Sequence, residues 1–399
     1  MNKIVPAKKT KNVRYAIRDI ISLANKVAAT GKSMYYLNIG DPNIYDHVTP
    51  DTVIDATIKA IKSNLNGYAP SNGINSAIEA ISHDANKKGI HNILDVFVTS
   101  GASEAIEICL SALLNSGENF LMPTPGYPLY TAVESKLELE PNPYYLSEDN
   151  NWQPDIEDIK NKINAQTKAI VLINPNNPTG SICQKETLLQ IIELALKHNL
   201  VIFADEIYDK LIFDGKELTS IASLNDEVSC ITFSGLSKNY VAPGFRIGWG
   251  VVSGKQEVLG DYIEAINKLL RARVSANHPE QYAIAAALNG DQSHLAKLIN
   301  KLEIRRGIMV DFLSKVEGIN LVKPEGAFYA FPSIDVKDDT QFVSELIKET
   351  GVVVVPGSGF GQRPGTHHFR IVTLPQEEIL RKAFQLISEY YTYYKNRFE

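Results

Sequence analysis

The sequence predicts an α/β protein with a large domain, built on a mostly parallel central sheet, and a smaller α+β domain. Five apolar runs recur between residues 96 and 233 without the polar alternation of a half-exposed strand, as expected for strands buried on both faces of a parallel sheet. Patterns typical of helices separate these runs, and from about residue 300 short strands mix with helices. The five runs are residues 96–98, 120–122, 169–173, 200–204 and 230–233.

The first half of the chain supplies the elements of the large domain in order. Apolar residues at helical spacing predict an amino-terminal helix over residues 14–29, which Gly31 ends. A short strand then leads into the turn Gly40-Asp41-Pro42. Residues 102–115 and 187–198 are predicted to be helices between strands of the sheet.

The second half predicts the smaller domain. A long helical stretch over residues 255–315 links the two parts, strands are expected at 352–355 and 369–372, and a helix ends the chain. A chain of 399 residues is too long for one typical core. We therefore expect an arm with part of the small domain at 1–45, the large domain at 46–295, and the small carboxyl-terminal domain at 296–399.

The composition excludes several classes of function. The net charge is -6, which argues against a nucleic-acid partner, because binding phosphates needs a basic surface. The three cysteines form no C-x-x-C pair, as in reduced cytosolic proteins. No apolar run could serve as a signal peptide or cross a bilayer, so we expect a cytoplasmic protein without a membrane partner. His367 and His368 are adjacent and lack partners at ligand spacing, so no metal site is expected.

Candidate ligand groups follow the predicted strands, where open α/β sheets bind ligands. Gly101-Ala102-Ser103 opens a helix, whose amino terminus suits an anion. Tyr127 follows the second run and could stack on a planar ring, and a rigid polar turn at 174–180 follows the third. Asp205 ends the fourth run, where a buried carboxylate needs a partner, and Tyr208 comes next. Taken singly, the turn before residue 102 could be a plain helix cap, Tyr127 a core tyrosine and Asp205 a helix cap. Three asparagines and two prolines at the end of a buried strand are unusual for a surface turn.

The loop after the fifth run holds Lys238 among small residues, with Arg246 eight positions later. A lysine amine held near neutral can bond to an aldehyde, and a guanidinium group suits a phosphate. This pair points to pyridoxal phosphate (PLP), whose pyridinium nitrogen Asp205 could meet. A lysine in such a loop is ordinarily a solvated surface residue. Because groups that PLP needs follow all five predicted strands, we favour a cofactor site over a surface lysine.

Three motifs together resemble those of class I/II aminotransferases of PLP fold type I. They are the turn at 174–180, Ala204-Asp205-Glu206-Ile207-Tyr208, and Gly235-Leu236-Ser237-Lys238 followed by Gly244-Phe245-Arg246. The resemblance covers nearly the whole chain. Within that class the chain looks most like the bacterial-type alanine (glutamate–pyruvate) aminotransferases. The segments that carry this finer resemblance include residues 15–18, 37–42, 203–210, 275–281 and 369–374.

The resemblance implies how the cofactor is bound. Lys238 would bond to the PLP aldehyde and shuttle protons, and Asp205 would pair with the pyridine nitrogen. Tyr208 and Asn177 would bond the 3′ oxygen, while Tyr127 stacks on the ring. Many relatives carry a hydroxyl or amide residue three positions before the lysine, where this chain has Gly235. The residues implied to hold the phosphate are Gly101, Ala102, Ser103, Ser234 and Arg246.

The resemblance also implies a substrate site and a homodimer. Arg370 matches the arginine that clamps the substrate α-carboxylate, with help from Gly40 and Asn177. Tyr68 matches the tyrosine that reaches the phosphate in the partner subunit. The residues expected to shape the side-chain pocket are Tyr15, Arg18, Arg271, Arg273 and the loop at 357–361, and Arg18 could meet the second carboxylate of glutamate.

The implied reaction moves an amino group between an L-amino acid, taken to be L-alanine, and 2-oxoglutarate by a ping-pong mechanism. Aspartate and aromatic aminotransferases, and PLP lyases of the same fold, are alternatives because Lys238 and Arg370 would serve them equally. A dinucleotide-binding enzyme is disfavoured because Pro364 and Gly365 interrupt the helix that should follow the loop at 357–361. A PLP-sensing regulator would need a DNA-binding module, and residues 1–35 are too few for one.

Overall fold

The computed structural model describes residues 3–12 and 16–398, and its side chains are described outside 11–19 and 396–398. The helices are α1 (Ala16–Ala28), α2 (Asp51–Lys62), α3 (Asn75–Lys87), α4 (Ala102–Leu113), α5 (Pro128–Leu137), α6 (Ile156–Lys162), α7 (Lys185–His198), α8 (Gln256–Ala272), α9 (His278–Asn289), α10 (Ser293–Leu313), α11 (Asp339–Thr350) and α12 (Glu377–Phe398). The strands are β1 (Tyr35–Tyr36), β2 (Ile93–Thr99), β3 (Asn119–Thr124), β4 (Asn142–Ser147), β5 (Gln153–Pro154), β6 (Thr167–Ile173), β7 (Val201–Asp205), β8 (Cys230–Gly235), β9 (Gly248–Ser253), β10 (Ile319–Asn320), β11 (Tyr329–Ala330), β12 (Ser333–Ile334), β13 (Val352–Val353), β14 (Val355–Pro356) and β15 (Phe369–Val372).

An eight-stranded sheet forms the centre of the molecule, in the order β2-β9-β8-β7-β6-β3-β4-β5. The pairs β8–β7, β7–β6, β6–β3 and β3–β4 are parallel. β9 runs antiparallel to both β2 and β8, and β5 is antiparallel to β4. The predicted α/β fold with a mostly parallel central sheet is thereby confirmed.

The apolar runs of the sequence become strands that are buried on both faces. One face packs against a cluster that includes Leu188, Ile191 and Ala283 from flanking helices, and the other against one that includes Cys109 and Ile266. Every residue of β3, β7 and β8 is buried. A fully buried large apolar side chain contributes about 1.5–3 kcal/mol, so these runs form a strong and rigid frame.

A second core, built from α1 and the carboxyl-terminal elements, lies beside the sheet. It includes Phe342 from α11, Phe369 from β15 and Phe384 from α12, and Ala24 of α1 packs into it. β1 pairs in parallel with β13, with Tyr35 opposite Val352. The amino-terminal segment therefore continues past the carboxyl-terminal strands and brings residues 38–40 close to β15.

The registers of three strand pairs, two in the central sheet and one beside it, determine what meets at the edge of the sheet. Ile173 at the end of β6 lies opposite Asp205 at the end of β7, and Asp205 lies opposite Phe233 of β8. β15 pairs with β11, so Val372 lies opposite Tyr329.

In the described part of the chain, none of the helices combines the length and the apolar character needed to cross a membrane.

Candidate active site

A cavity of about 320 Å³ lies between the carboxyl edge of the sheet and the second core. It collects side chains from strand ends that are far apart in the sequence. The sequence-predicted residues that line it are Gly40, Ala102, Ser103, Tyr127, Asn177, Asp205, Tyr208, Lys238, Arg246 and Arg370. Tyr15 and the side chain of Arg18, which were expected to shape the substrate pocket, lie outside the described residues.

One end of the cavity is suited to an anion. Ala102 and Ser103 form the first turn of α4, where backbone N–H groups have no partner within the helix. Arg246 Nη2 donates to Ser103 Oγ at 3.2 Å and to the carbonyl of Ser100 at 3.3 Å. Gly101 has φ +83, and a side chain there would overlap the Arg246 guanidinium, so glycine permits this approach.

The serine predicted to assist at this end is not the one that meets the cavity. Ser234 lies within the buried strand β8. Among the described residues, Ser237 is the serine of this loop that lines the cavity. Side chains alternate along a strand, and β8 ends at Gly235. The number of residues between a serine and Lys238 therefore does not tell which serine faces the cavity.

Asp205 provides a buried carboxylate on the floor of the cavity, and only 4% of its surface is exposed. Tyr130 Oη donates to Asp205 Oδ2 at 3.1 Å, and the backbone N–H of Ile207 donates to Oδ1 at 3.4 Å. Burial raises the pKa of Asp205 to about 6, although the bond from Tyr130 and the nearby Lys238 oppose that rise. The carboxylate would therefore gain from a cationic partner within the cavity.

Lys238 supplies the amine. Its Nζ donates to the carbonyl of Gly40 at 2.8 Å and lies 5.6 Å from the centroid of the Phe328 ring. Burial lowers the pKa of Lys238 to about 8, with the guanidinium groups of Arg370 and Arg246 adding to the effect and Asp41 and Asp205 opposing it. Roughly a tenth to a fifth of the amine is consequently neutral near physiological pH, far more than for an ordinary lysine.

Tyr208 and Asn177 face the cavity from the ends of β7 and β6. The Tyr208 hydroxyl shares a hydrogen bond of 3.0 Å with the hydroxyl of Tyr329, and burial raises the pKa of Tyr208 well above its usual value. Asn177 lies in the turn at 174–180, where Asn176 Oδ1 accepts from the backbone N–H and the hydroxyl of Thr179. These bonds make the turn rigid and fix the direction of Asn177.

Arg370 lies on β15 opposite the floor of the cavity and is 2% exposed. Its Nη1 donates to Asn177 Oδ1 at 3.2 Å and its Nη2 donates to the carbonyl of Asn38 at 2.7 Å. The guanidinium lies 4.7 Å from the ring centroid of Tyr329 and 4.5 Å from that of Phe360. Two aromatic faces and two hydrogen bonds therefore hold this cation in one orientation, which suits the recognition of a carboxylate.

Comparisons with known proteins agree with this geometry. Residues 33–385 match the family model "Aminotransferase class I and II". The chain belongs to this family. The predicted resemblance and the predicted activity as an aminotransferase are confirmed.

The relatives of this aminotransferase share its full length. It is 39% identical to the glutamate-pyruvate aminotransferase AlaA of Escherichia coli, covering 98% of this chain and 100% of that protein. It is 38% identical to an alanine aminotransferase of Mycobacterium tuberculosis, covering 97% and 92%. The solved alanine aminotransferase of Pyrococcus furiosus superimposes with a TM-score of 0.94 at 37% identity, covering 98% of this chain and 100% of that one.

Some residues that were predicted to bind the cofactor or the substrate do not line this cavity. Tyr68 is 85% exposed. Arg271 donates to Glu264 at 2.7 Å on the surface, and Arg273 donates to the carbonyl of Val98 at 2.7 Å. Of the loop at 357–361, Phe360 touches the guanidinium of Arg370.

Sequence reasoning missed two tyrosines of this aminotransferase. Tyr130 bonds Asp205, and it lies one helical turn after Tyr127, so the i, i+3 spacing on α5 could have found it. Tyr329 lines the cavity from β11. Nothing in the local pattern distinguishes Tyr329 from the neighbouring Phe328 and Phe331, because its role depends on where the second core meets the sheet.

Proposed function

We propose that this aminotransferase uses PLP to move an amino group between L-alanine and 2-oxoglutarate by a ping-pong mechanism. The proposal rests on one observation: Lys238, Asp205, Arg246 and Arg370 converge on a single cavity. An amine suits the PLP aldehyde and a carboxylate suits its pyridinium nitrogen. Two separate guanidinium groups suit the phosphate of the cofactor and the carboxylate of an amino acid.

The residues of the cavity fit PLP. Arg246 and the first turn of α4 would hold the phosphate, and Asp205 would pair with the ring nitrogen at the other end. Tyr127 is half-buried on the cavity wall, as a stacking residue would be, and Asn177 and Tyr208 would meet the 3′ oxygen. When bound, PLP withdraws electrons from the α-carbon of the amino acid joined to it.

Lys238 would act as the general base. Its Nζ would take the α-proton of the amino acid and hold it for return later in the reaction. With a pKa of about 8, the amine is close to the value at which a group both accepts and returns a proton efficiently near neutral pH. The carbonyl of Gly40 gives the amine a resting position inside the cavity.

Arg370 would bind the α-carboxylate of the substrate. Its guanidinium is held by Asn177 and Asn38 on one side and by two aromatic rings on its faces. A bidentate pair with the carboxylate would fix the direction of the Cα–H bond toward Lys238 and lower the entropic barrier to proton transfer.

L-Alanine as amino donor is supported by the names of the relatives, which are alanine and glutamate–pyruvate aminotransferases. Among the described residues, the arginines and lysines that line the cavity are Lys238, Arg246 and Arg370, and each already has a proposed role. A donor without a charged side chain fits this wall. The second carboxylate of glutamate would then be met by Arg18 or by the partner subunit.

We also propose a cytoplasmic homodimer, in which Tyr68 reaches the phosphate bound by the partner. The high exposure of Tyr68 and the free thiols of Cys109, Cys183 and Cys230 support this assignment. Mixing Lys238→Ala and Tyr68→Ala protomers would test the shared site. Each hybrid dimer should regain one intact site, so activity should rise above that of either parent.

A spectral titration tests the proposed function. The purified protein should bind PLP and absorb visible light through its lysine-bound cofactor. L-Alanine alone should remove that band with stoichiometric formation of pyruvate, and 2-oxoglutarate should restore it with formation of glutamate.

The other outcomes separate the parts of the proposal. A band that ignores L-alanine would keep the PLP assignment and reject the substrate. Failure to bind supplied PLP would reject the cofactor and with it the role of Lys238. Formation of ammonia with no acceptor present would favour a lyase.

A further inference from the structure

Tyr329 touches two of the groups that the proposed function uses, Tyr208 and Arg370. It lies on β11, is 3% exposed, and its hydroxyl is 3.0 Å from the hydroxyl of Tyr208. The rings of Tyr208 and Tyr329 meet edge to face, with centroids 5.7 Å apart. The same Tyr329 ring lies 4.7 Å from the guanidinium of Arg370.

Backbone geometry fixes Tyr329 in this place. β11 pairs with β15, the strand that carries Arg370, so the tyrosine and the arginine belong to one ladder. A side chain at Gly40 would collide with the Tyr329 hydroxyl. Because Gly40 has no side chain, the hydroxyl can reach Tyr208 past the residue whose carbonyl accepts from Lys238.

A phenol can donate one hydrogen bond and accept another at the same time. If Tyr208 donates to the 3′ oxygen of the cofactor, as the proposed function requires, its oxygen is free to accept from Tyr329. Hydrogen bonds in such a chain polarise one another, so the second phenol strengthens the first as a donor. Among the described residues, other titratable groups near Tyr208 include Tyr127, immediately before α5, Asp205 at the end of β7, and Lys238 in the loop after β8.

We propose that Tyr329 is a positioning residue that ties the substrate clamp to the cofactor-facing phenol. Its hydroxyl orients and strengthens Tyr208, and its ring holds Arg370. The inference rests on the proposed function. Through Tyr329, the second core, which carries Arg370, would influence how strongly Tyr208 at the edge of the sheet donates its hydrogen bond.

The first test uses Tyr329→Phe, which keeps the ring and removes the hydroxyl. In the PLP-loaded enzyme, the pH midpoint of the visible absorbance should rise by roughly half a pH unit. Without the bond from Tyr329, Tyr208 donates more weakly to the 3′ oxygen of the cofactor. That oxygen then keeps more negative charge and holds a nearby proton up to a higher pH. Tyr208→Phe should raise that midpoint further. The KM for L-alanine should stay unchanged in Tyr329→Phe.

A double-mutant cycle tests the route through Tyr208. If Tyr329 acts only through that phenol, adding Tyr329→Phe to Tyr208→Phe should produce no further shift in the midpoint. Full additivity would overturn the proposal, since the two hydroxyls would then act independently. An unchanged midpoint in Tyr329→Phe alone would overturn it as well.

Two further variants separate the hydroxyl from the ring. Tyr329→Leu should also raise the KM for L-alanine by roughly three- to tenfold, because Arg370 loses one aromatic face. Tyr240→Phe is the matched control, because the buried Tyr240 lies outside the cavity lining and its hydroxyl donates to Gln292 Oε1 at 3.1 Å. The pH midpoint and the KM of this variant should equal those of the wild type. A wild-type protein that binds no PLP would reject the proposed function itself, whereas a normal wild type with an unresponsive Tyr329→Phe would reject only this inference.

Discussion

The cavity has two halves that are built in different ways. The half proposed to hold the cofactor, called the cofactor half, consists of Ala102, Ser103, Asp205, Lys238 and Arg246, which lie at or after the ends of strands of one sheet. The half proposed to bind the substrate, called the substrate half, consists of Asn38, Gly40, Tyr329 and Arg370, which come together only where the second core meets that sheet. A sheet edge is positioned by continuous ladders of backbone bonds, so the cofactor half is rigid by construction. The substrate half depends on packing between cores, so its groups can be displaced without disturbing the sheet.

The largest effect is expected from Lys238→Ala in the cofactor half. Loss of the general base should lower transamination by about 10⁴-fold, while the melting temperature stays near that of the wild type. Initial rates with L-alanine and 2-oxoglutarate would measure this. Lys255→Ala, which removes a surface lysine paired with Glu227, is the control and should be neutral. Near-normal turnover in Lys238→Ala would contradict the assignment of both the base and this half of the cavity.

Arg370→Lys should produce the next largest effect and confine it to the substrate half. The charge is kept, but the planar fork and its contacts with two rings are lost. We expect kcat/KM for L-alanine to fall by about 10²-fold, while the dissociation constant of PLP changes little. Equal losses in both quantities would show that the halves are not separate.

Arg246→Lys is the matched change in the cofactor half and should give the opposite pattern. The dissociation constant of PLP should rise by roughly tenfold, because a lysine cannot bond the phosphate and Ser103 in the same fork. The KM for L-alanine in enzyme saturated with PLP should remain within about twofold of the wild type. A selective rise in this KM would argue that Arg246 belongs to the substrate half.

The smallest effect concerns how the rate at which the Lys238 amine of cofactor-free protein takes up PLP depends on pH. The pKa of Lys238 is lowered to about 8, and only the neutral amine attacks an aldehyde. The rate of PLP uptake by cofactor-free protein should therefore climb with pH and level off near pH 8, whereas an ordinary lysine would climb until about pH 10.4. Stopped-flow absorbance would measure it. A rate still rising steeply above pH 9 would show that the surroundings of Lys238 do not favour the neutral form.

The sequence predicted the cofactor half more completely than the substrate half, for a physical reason. Consecutive buried strands indicate a parallel sheet, and a parallel sheet brings the residues after each strand to one edge. Lys238, Asp205 and Arg246 could therefore be placed from spacing alone. In the substrate half, Arg370 was named only through the family resemblance, because nothing in the spacing of 369–372 tells which face of that strand meets the large domain.

The residues that were missed or misplaced illustrate the same limit. Tyr130 lies one helical turn after Tyr127, which was predicted to line the site, and helical spacing from Tyr127 would have found it. Tyr329 and the carbonyl of Asn38 join the site through long-range packing, which no local pattern reports. Ser234 was predicted to bind phosphate, and the structure brings Ser237 to the cavity wall in the described chain. The direction of a side chain where a strand ends depends on the turn that follows.

The hydrogen bond between Arg370 and the carbonyl of Asn38 joins residues that are 332 positions apart in the chain. During synthesis the ribosome releases the amino-terminal part first, so Asn38 and the whole central sheet emerge long before Arg370 is made. A growing chain can assemble the surroundings of Lys238 while it still lacks the group that would hold an amino acid. Competence to bind substrate is therefore acquired only after β15 has been made, and a chain that stops short of β15 remains without it.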